Sequence, residues 1–389
     1  MGVAGVSEQT KQKNNHFVPQ SYLVRFHSVS ERQVGLYNLK SGRMIEIAPI
    51  KSQCARDYFY TKNPVFEKEF SKLEGRQKQL FERIVGENYL PEGNSEDHHA
   101  LLSSIMFQAG RTMTTVAHQN HLANEFGKAM LRKHFEKEGK DDLLAVLPQV
   151  KITMPDVVLD SIGQHLAMYP LLGDMDATLF VNQSKEDFLT SDHPIALCNN
   201  LPASSPYGAN VGFSSRGLIV VFPLSPRVLL FLSDPEVYKI AHNERRVAKL
   251  NKIRDVVELN LPQCFNAHEN LYFASAANVQ ETLLAFRLRR DYLRTDLPAL
   301  SEISAKTPTG RTGVLLSMPG PNRRMRLPKA VEIRRAAKTG RYVQGDAFVR
   351  DPLRTAVVRK ELERLHKMRE KATREAEKQQ NKKLADADP

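Results

Sequence analysis

The residues most able to do chemistry begin where a polar leader ends, at residues 14–23, which read Asn-Asn-His-Phe-Val-Pro-Gln-Ser-Tyr-Leu. His16 stands directly before Phe17 and Val18, so we expect it to lie against apolar neighbours. Burial and a hydrogen-bond partner would then set its pKa close to neutral pH, as a general acid or base requires. An ordinary core histidine arises in the same way. The segment therefore supplies a candidate catalytic residue but names no substrate.

A carboxylate and a guanidinium on two successive predicted helices form a second candidate pair. Glu74 borders the apolar face of the first helix. On the second, Gln108, Arg111, Thr115 and His118 follow at steps of three, four and three residues, which predicts one polar stripe. Arg111 is expected to pair with Glu74. The pair is either a structural ion pair between helices or part of a site in which Arg111 clamps an anion such as phosphate.

Further polar groups follow a predicted strand, in the sequence Thr-Ser-Asp-His-Pro at residues 190–194. Asp192 is a candidate catalytic carboxylate, because such groups are common in loops at strand ends. It is equally typical of a turn in which Asp bonds the following backbone. Ser225 is expected to cap the turn at residues 223–226 and not to act as a nucleophile. Asn260 and Gln263, one helical turn apart, would orient a substrate or cap a helix end.

Helical and strand patterns alternate irregularly, and no Gly-rich phosphate loop occurs, so a doubly wound nucleotide-binding fold is not expected. Periodicity and capping residues predict helices that start near residues 63 and 95, and others over 117–147, over 155–168 and between 235 and 257. Predicted hairpins join residues 35–39 to 44–47, 178–181 to 188–190, and 218–222 to 228–232. The predicted fold class is α+β: a mainly helical body with antiparallel β-hairpins, plus a basic C-terminal helical extension.

Positive charge is concentrated near the C-terminus. Residues 320–389 contain 20 Lys and Arg against 10 Asp and Glu, whereas the first 319 residues contain 36 against 34. Such a region suits a polyanion such as nucleic acid. Apolar residues at helical spacing then predict a charged helix from residue 353 to about 384, which would alternatively be a solvated helix held by its own ion pairs. The candidate nucleic-acid contacts are Arg323, Arg324, Arg326, Arg334 and Arg335.

These patterns divide the chain into a flexible leader (1–13), a single α+β body (14–300), a linker with the basic block (301–352) and the charged helix (353–389). The 389 residues, 41% of them hydrophobic, are enough to fill a core. No apolar run of about 18 residues occurs and the leader lacks the apolar stretch of a secretory signal, so we expect no membrane association and a cytoplasmic location. The widely spaced Cys54, Cys198 and Cys264 predict reduced thiols.

Several short motifs, taken in order, resemble a bacterial family, domain-of-unknown-function family 4238. They lie at residues 15–20 with Leu23 and Phe26, 57–61, 73–74, 108–112, 188–192 with Pro194, 223–226, and Asn260 with Gln263. The resemblance covers about residues 14–280 and leaves out the basic C-terminal region. It implies that His16, Gln20, Glu74, Arg111 and Asp192 belong to the family's motifs, and it implies no reaction. His193 stands where relatives often have Asn. Separately, the spacing of Arg111 and His118 is similar to the arginine-to-histidine spacing of the HEPN ribonucleases, although Thr112 departs from their pattern.

Three hypotheses follow. In the first, the protein is a nuclease-like phosphodiester hydrolase. His16 acts as general acid or base, Glu74 and Asp192 orient it or hold Mg²⁺, and Arg111 stabilises phosphate charge. In the second, it binds nucleic acid without catalysis and the motif residues form a polar core network. In the third, it is a bacterial defence or toxin component, such as a phage-defence protein, that binds a protein partner through its C-terminal helix. Besides the five arginines, the predicted substrate-binding residues are Asn15, Gln20, Gln108, Ser191, Asn260 and Gln263.

Overall fold

The computed structural model describes residues 14–60, 64–154, 156–201, 211–289, 301–306, 312–317, 324–339 and 349–385. Within these ranges the chain has an α+β fold, as its sequence predicts, in which long helices pack against two main sheets. The predicted leader at residues 1–13 and the predicted nucleic-acid contact Arg323 lie outside the described residues.

The described helices include all those predicted from periodicity in the first half of the chain. In order, they are α1 (Gln20–Leu23), α2 (Pro64–Glu87), α3 (Glu96–Gly110), α4 (Met113–Glu138), α5 (Asp141–Val146), α6 (Val157–Ala167), α7 (Ile253–Asn266), α8 (Gln280–Arg289), α9 (Arg335–Thr339) and α10 (Pro352–Ala385). The strands are β1 (Asn14–His16), β2 (Gln33–Asn38), β3 (Met44–Pro49), β4 (Ala55–Asp57), β5 (Asp176–Asn182), β6 (Thr190–Ser191), β7 (Ala196–Asn199), β8 (Leu218–Pro223), β9 (Val228–Ser233), β10 (Tyr238–Ile240), β11 (Val247–Leu250), β12 (Asn270–Phe273), β13 (Ser301–Lys306), β14 (Thr312–Ser317) and β15 (Val331–Ile333).

A five-stranded sheet in the order β11-β5-β9-β8-β7 forms the centre of the body. Its pairs are antiparallel except for the parallel pair of β11 and β5. Every residue of β8 and β9 is buried. Along β8, Val220 and Phe222 belong to one hydrophobic cluster, whereas Ile219 and Val221 belong to another, because successive side chains of a strand point to opposite faces. The sheet therefore separates two cores, and the first is shared with α2, α3 and α6.

The strand partners agree only in part with the predicted hairpins. The hairpin of β8 and β9 is confirmed, with its turn closed by a hydrogen bond from the Val228 backbone N–H to Ser225 Oγ. The predicted hairpin of residues 178–181 and 188–190 is wrong, because β5 pairs with β9 and β11 while β6 pairs with β12. Residues 238–250 contain β10 and β11 where helix was predicted. Apolar alternation identifies a strand but not its partner.

A second sheet, in the order β3-β2-β12-β6, contains the predicted N-terminal hairpin of β2 and β3. Gly42 in its turn has φ +67°, a conformation that suits glycine. Strand β12 lies so close to β2 that a Cβ built on Gly35 would lie 2.3 Å from Cε2 of Phe273. We infer that glycine is required at residue 35 for the two strands to pair.

Helices α2 and α3 are consecutive and pack together, and Ser95 caps α3 by accepting a hydrogen bond from the His98 backbone N–H. The predicted polar stripe of residues 108–118 is wrong, because α3 ends at Gly110. Arg111 has non-helical dihedrals, and Thr112 caps the separate helix α4. The HEPN-like spacing consequently does not place Arg111 and His118 on one helix. The break between α3 and α4 therefore falls at Arg111 and Thr112.

The C-terminal basic region packs into the body. Strand β15 pairs with β10, and Met325, Val331 and Ala337 are buried in the second cluster. Farther along, Arg350 donates hydrogen bonds to the Asp174 carboxylate at 2.7 and 3.1 Å and to three backbone carbonyls, among them that of Ser215. The predicted division at residue 300 therefore does not mark an end of the packed core.

The predicted C-terminal helix is confirmed as α10, and one of its faces contacts the body. Val358 is buried, and Arg369 forms an ion pair with Asp160 of α6. Leu353 and Val357, which the sequence groups with the apolar positions, are 83% and 67% exposed. Among the described residues, no helix is both long and apolar enough to cross a membrane.

Candidate active site

A pocket of about 240 Å³ lies between the N-terminal segment and α2. Strand β1 and helix α1 line one side, and α2 lines the other with positions spaced by three, four and seven residues, which share one helix face. The lining residues are Asn15, His16, Gln20, Ser21, Tyr60, Glu67, Phe70, Ser71 and Glu74. Four residues predicted from the sequence, Asn15, His16, Gln20 and Glu74, thus meet in one cleft.

The structure defines the tautomer of His16. Its Nδ1 lies 3.1 Å from the carbonyl oxygen of Gln53, and a carbonyl only accepts, so Nδ1 carries the proton. Burial lowers the pKa of His16 below its usual 6.5, although the Gln53 hydrogen bond and Glu74 oppose the shift. The imidazole is therefore neutral at pH 7, and its Nε2 is an acceptor that receives a hydrogen bond from Gln20 Nε2 at 3.0 Å. A neutral Nε2 in a cleft can accept a proton from a nucleophile.

The predicted pairing of Arg111 with Glu74 is confirmed, with 2.5 Å between Nη1 and Oε1. Arg111 is fully buried, and its Nε and Nη2 donate to Gln108 Oε1 at 3.1 and 3.0 Å. Its guanidinium carbon also lies 4.3 Å from the ring centroid of Phe107. Because Arg111 is not among the lining residues, it binds Glu74 from outside the pocket and does not present its N–H groups to a phosphate in the cleft.

Tyr60 connects the histidine to the ion pair. Its hydroxyl donates to the backbone carbonyl of His16 at 2.7 Å and accepts from Arg111 Nη1 at 3.4 Å. Burial raises the pKa of Tyr60 to about 12, so the hydroxyl stays protonated at neutral pH. On the other side, Gln108 Nε2 donates to the Phe17 carbonyl at 3.0 Å. Arg111 and its two polar neighbours therefore fix the backbone carbonyls of His16 and Phe17.

Asn15 has an unusual hydrogen-bond state. Its Nδ2 donates to Glu67 Oε1 at 2.8 Å. Its Oδ1 is buried and receives no hydrogen bond from any residue in the described ranges. An unsatisfied buried acceptor costs about 1–3 kcal/mol, and natural structures contain few of them.

Five of the residues lining the pocket were not predicted to take part in a site, namely Ser21, Tyr60, Glu67, Phe70 and Ser71. Glu67 was missed, although it precedes Glu74 by seven residues and so shares its helix face. Tyr60 belongs to a motif of the family resemblance but received no role, because its partner Arg111 lies 51 positions away in the chain.

The structure does not bring Asp192 to the pocket. Its Oδ1 accepts a hydrogen bond from the His268 backbone N–H at 2.7 Å, and its Oδ2 accepts from those of Glu269 and Asn270 at 2.7 and 2.9 Å. Burial raises the pKa of Asp192, while these three N–H groups oppose that shift. The carboxylate is therefore the organiser of the turn that leads into β12.

We expect Asp192→Ala to lower the free energy of unfolding by about 2 kcal/mol. The loss is moderate because His268 and Glu269 of the turn are exposed, so water can reach their backbone N–H groups once the buried carboxylate is removed. Urea denaturation measures it, and Asp176→Ala, at an exposed position of β5, is the control with an expected change within about 0.5 kcal/mol. Unchanged stability with lost catalytic activity would instead assign Asp192 to catalysis.

The other predicted polar residues of this region also hold elements together. Ser191 Oγ donates to Gln263 Oε1 at 2.9 Å, and Gln263 Nε2 donates to the Pro194 carbonyl at 2.8 Å. Asn260 Nδ2 donates to the Asp187 carbonyl at 2.8 Å. Ser191, Asn260 and Gln263 are completely buried. They attach α7 to residues 187–194 and are not among the residues that line the cleft.

The predicted Mg²⁺ ligands, Glu74 and Asp192, are not brought together, since one pairs with Arg111 and the other binds three backbone N–H groups. Within the part of the chain that the structure describes, no group of three or more His, Cys, Asp or Glu side chains is arranged to hold a metal ion. The residues present therefore do not match a magnesium site at the predicted positions.

Of the predicted nucleic-acid contacts, Arg324, Arg326, Arg334 and Arg335 are all exposed. Arg324 and Arg326 lie in the loop before β15. Arg334 also donates from Nε to the carbonyls of Pro235 and Tyr238, at 2.7 and 3.3 Å. The loop therefore presents positive charge to solvent on a segment anchored by buried residues.

The fold and the pocket define an α+β protein with a histidine and two carboxylates in one cleft. A family model, DUF4238, described as a protein of unknown function, matches residues 14–277. The chain belongs to this family. No curated protein and no solved structure matches it. Every residue that lines the pocket falls inside the matched region, whereas the exposed arginines of residues 324–335 fall outside it.

Proposed function

We propose that the protein is a nucleic-acid-directed phosphodiester hydrolase in which His16 is the general base. The observation that carries the proposal is the hydrogen bond from His16 Nδ1 to the Gln53 carbonyl, which leaves Nε2 as a proton acceptor in an open cleft. General bases in enzymes are commonly oriented in this way through the second ring nitrogen.

In the proposed reaction, His16 Nε2 takes a proton from water or from a ribose hydroxyl. The resulting oxygen bonds to phosphorus, the bond to the leaving oxygen breaks, and the leaving oxygen takes a proton from solvent. The imidazolium that forms is stabilised by Glu74, whose charge raises the pKa of His16 against the larger effect of burial. Arg111 contributes indirectly, because it fixes Glu74.

The charge of the cleft constrains where the phosphate lies. Glu67 and Glu74 both line it, and carboxylates repel phosphate, so the scissile group is placed at the opening, next to Nε2. Long-range attraction then comes from the C-terminal basic region. Exposed Arg324, Arg326 and Lys329 supply this attraction in the proposal.

A non-catalytic nucleic-acid-binding protein is the second candidate. It is favoured by the hydrogen bond from Gln20 to His16 Nε2, which occupies the atom that catalysis needs. The hydrolase requires Gln20 to release Nε2. Gln20 is exposed, so its side chain can exchange this hydrogen bond for one with solvent or substrate.

The two candidates are separated by incubating the purified full-length protein with end-labelled RNA and with plasmid DNA, each in Mg²⁺, Mn²⁺ or EDTA. We expect cleavage of at least one substrate, and the EDTA reactions show whether a divalent ion is needed. Nucleic acid that is shifted in a gel but uncut would overturn the hydrolase and support the binding protein.

We expect the triple substitution Arg324→Gln, Arg326→Gln, Lys329→Gln to weaken nucleic-acid binding. If all three contact phosphates, the negative slope of log K for nucleic-acid binding against log salt concentration decreases in magnitude by about 2–3. Charge substitution is preferable to truncation because this segment carries buried Met325. The matched control removes three exposed charges from the N-terminal hairpin region, with Lys40→Gln, Arg43→Gln and Lys51→Gln. Equal slopes for both triple variants would place the binding surface elsewhere.

A further inference from the structure

The buried acceptor of Asn15 points to a missing hydrogen-bond donor. A carboxylate cannot donate, so the contact of Asn15 with Glu67 must use Nδ2 and leave Oδ1 facing away from that bond. Asn15 is only 5% exposed, it lines the pocket, and its Oδ1 receives no hydrogen bond within the described residues. A ligand group with an N–H or O–H would satisfy this atom.

Three of the neighbours of Asn15 in the pocket contribute acceptors, while the amide of Gln20 and the hydroxyls of Ser21 and Ser71 can also donate. Glu67 and Glu74 contribute carboxylates, and His16 contributes Nε2. Ser71, which could donate, already donates from Oγ to the Glu67 backbone carbonyl at 2.8 Å. The part of a ligand that enters such a pocket carries several adjacent donors and no negative charge.

Nucleic acid offers few groups of this kind. Phosphate has no donor at neutral pH, and uracil places its single N–H between two carbonyls, which carboxylates would repel. Adenine and cytosine each present one amino group beside a ring acceptor. Guanine alone presents a ring N–H and an amino group side by side on its Watson–Crick edge, which is accessible in unpaired strands.

We infer that this pocket binds the Watson–Crick edge of an unpaired guanine, with Glu67 and Asn15 Oδ1 as the acceptors. The inference rests on the proposed function, because that function makes nucleic acid the substrate. The buried rings of Tyr60 and Phe70 supply apolar contact for the base. The phosphodiester next to the bound guanine is then the one that reaches His16, so cleavage is adjacent to guanine.

The test is calorimetric titration of the full-length protein with guanosine monophosphate, inosine monophosphate, adenosine monophosphate and arginine amide. We expect guanosine monophosphate to bind at least about 10-fold more tightly than the adenosine and inosine nucleotides, since inosine lacks the amino group. Equal affinity for guanosine and adenosine nucleotides, or no binding of guanosine monophosphate by the folded protein, overturns the inference. Binding of arginine amide alone also overturns it and assigns the pocket to a basic side chain of a protein partner.

Two variants locate the binding. Glu67→Gln keeps the size of the side chain and should weaken the binding of guanosine monophosphate at least about 10-fold. Asn15→Leu should weaken this binding as well. Glu69→Gln, which removes an exposed carboxylate of the same helix that does not line the pocket, is the control and should leave affinity unchanged. Thermal melting by circular dichroism checks that each variant is folded, and a folded Glu67→Gln variant with wild-type affinity contradicts the inference.

The ends of cleaved RNA distinguish this inference from the proposed function. Cleavage with no preference for guanine would overturn the inference and leave the hydrolase in place. Tight binding of guanosine monophosphate without cleavage of any nucleic acid would overturn the hydrolase and leave the guanine site in place. Cleavage confined to guanine, lost together with nucleotide binding in Glu67→Gln, supports both.

Discussion

The His16→Ala variant is expected to cleave nucleic acid about 10²–10⁴-fold more slowly than the wild type, which is the usual contribution of a general base. The loss follows from removing Nε2, the proton acceptor that the Gln53 carbonyl keeps available. Single-turnover rates with saturating protein measure the effect separately from binding. Affinity for the nucleic acid should be nearly unchanged, because Arg324, Arg326 and Lys329 remain.

The pH profile shows whether His16 acts as a base or only supports the fold. Burial lowers the pKa of His16 below 6.5, so the base is present at neutral pH and becomes protonated at lower pH. The cleavage rate of the wild type should therefore be level above pH 6.5 and fall below the pKa, and this limb should vanish in the residual activity of His16→Ala. Gln20→Ala, which frees Nε2, is the control and should keep the limb. A His16→Ala variant with the wild-type rate and limb would remove His16 from the mechanism.

The Glu74→Ala variant is expected to lose about 3–5 kcal/mol of unfolding free energy. Arg111 is 0% exposed, and its guanidinium cannot be deprotonated at physiological pH, so loss of Glu74 leaves a buried charge without its anion. Because the Glu74 side chain is 31% exposed, water reaches the pair and the lower end of the range applies. Urea denaturation followed by circular dichroism measures the change.

Glu69→Ala on the same helix is the matched control. Glu69 forms an exposed ion pair with Lys72 at 2.7 Å, and such pairs contribute about 0–1 kcal/mol. The double variant Glu74→Leu, Arg111→Met should recover part of the stability, because it removes the buried charge together with its partner. If Glu74→Ala unfolds at the wild-type urea concentration, solvent alone is enough to stabilise Arg111.

The residues that could be predicted from the sequence share one property: their neighbours in the chain determine their surroundings. His16 precedes two apolar residues, and Glu74 borders an apolar helix face, so burial and a need for partners follow from local pattern. The antiparallel hairpin of β8 and β9 follows from the proline-rich turn between two apolar runs.

The residues that could not be predicted depend on contacts between distant parts of the chain. Asp192 binds the backbone of residues 268–270, about 76 positions away, and no local pattern identifies such a partner. Strand β5 pairs with β9 and β11, and both of its faces are covered, so its apolar run carries no local signal of which strands lie beside it. Glu67 lines the pocket together with Asn15 of β1, to which it is hydrogen-bonded although the two residues are 52 positions apart.

The pairing of β15 with β10 has a consequence for any recombinant fragment limited to the family match. A chain that stops at residue 277 leaves the hydrogen-bonding edge of β10 open and uncovers the apolar surface beneath Val331 and Ala337. Open strand edges beside apolar surface are templates for intermolecular pairing. Such a fragment should therefore be recovered as aggregate, even though it contains the whole candidate site.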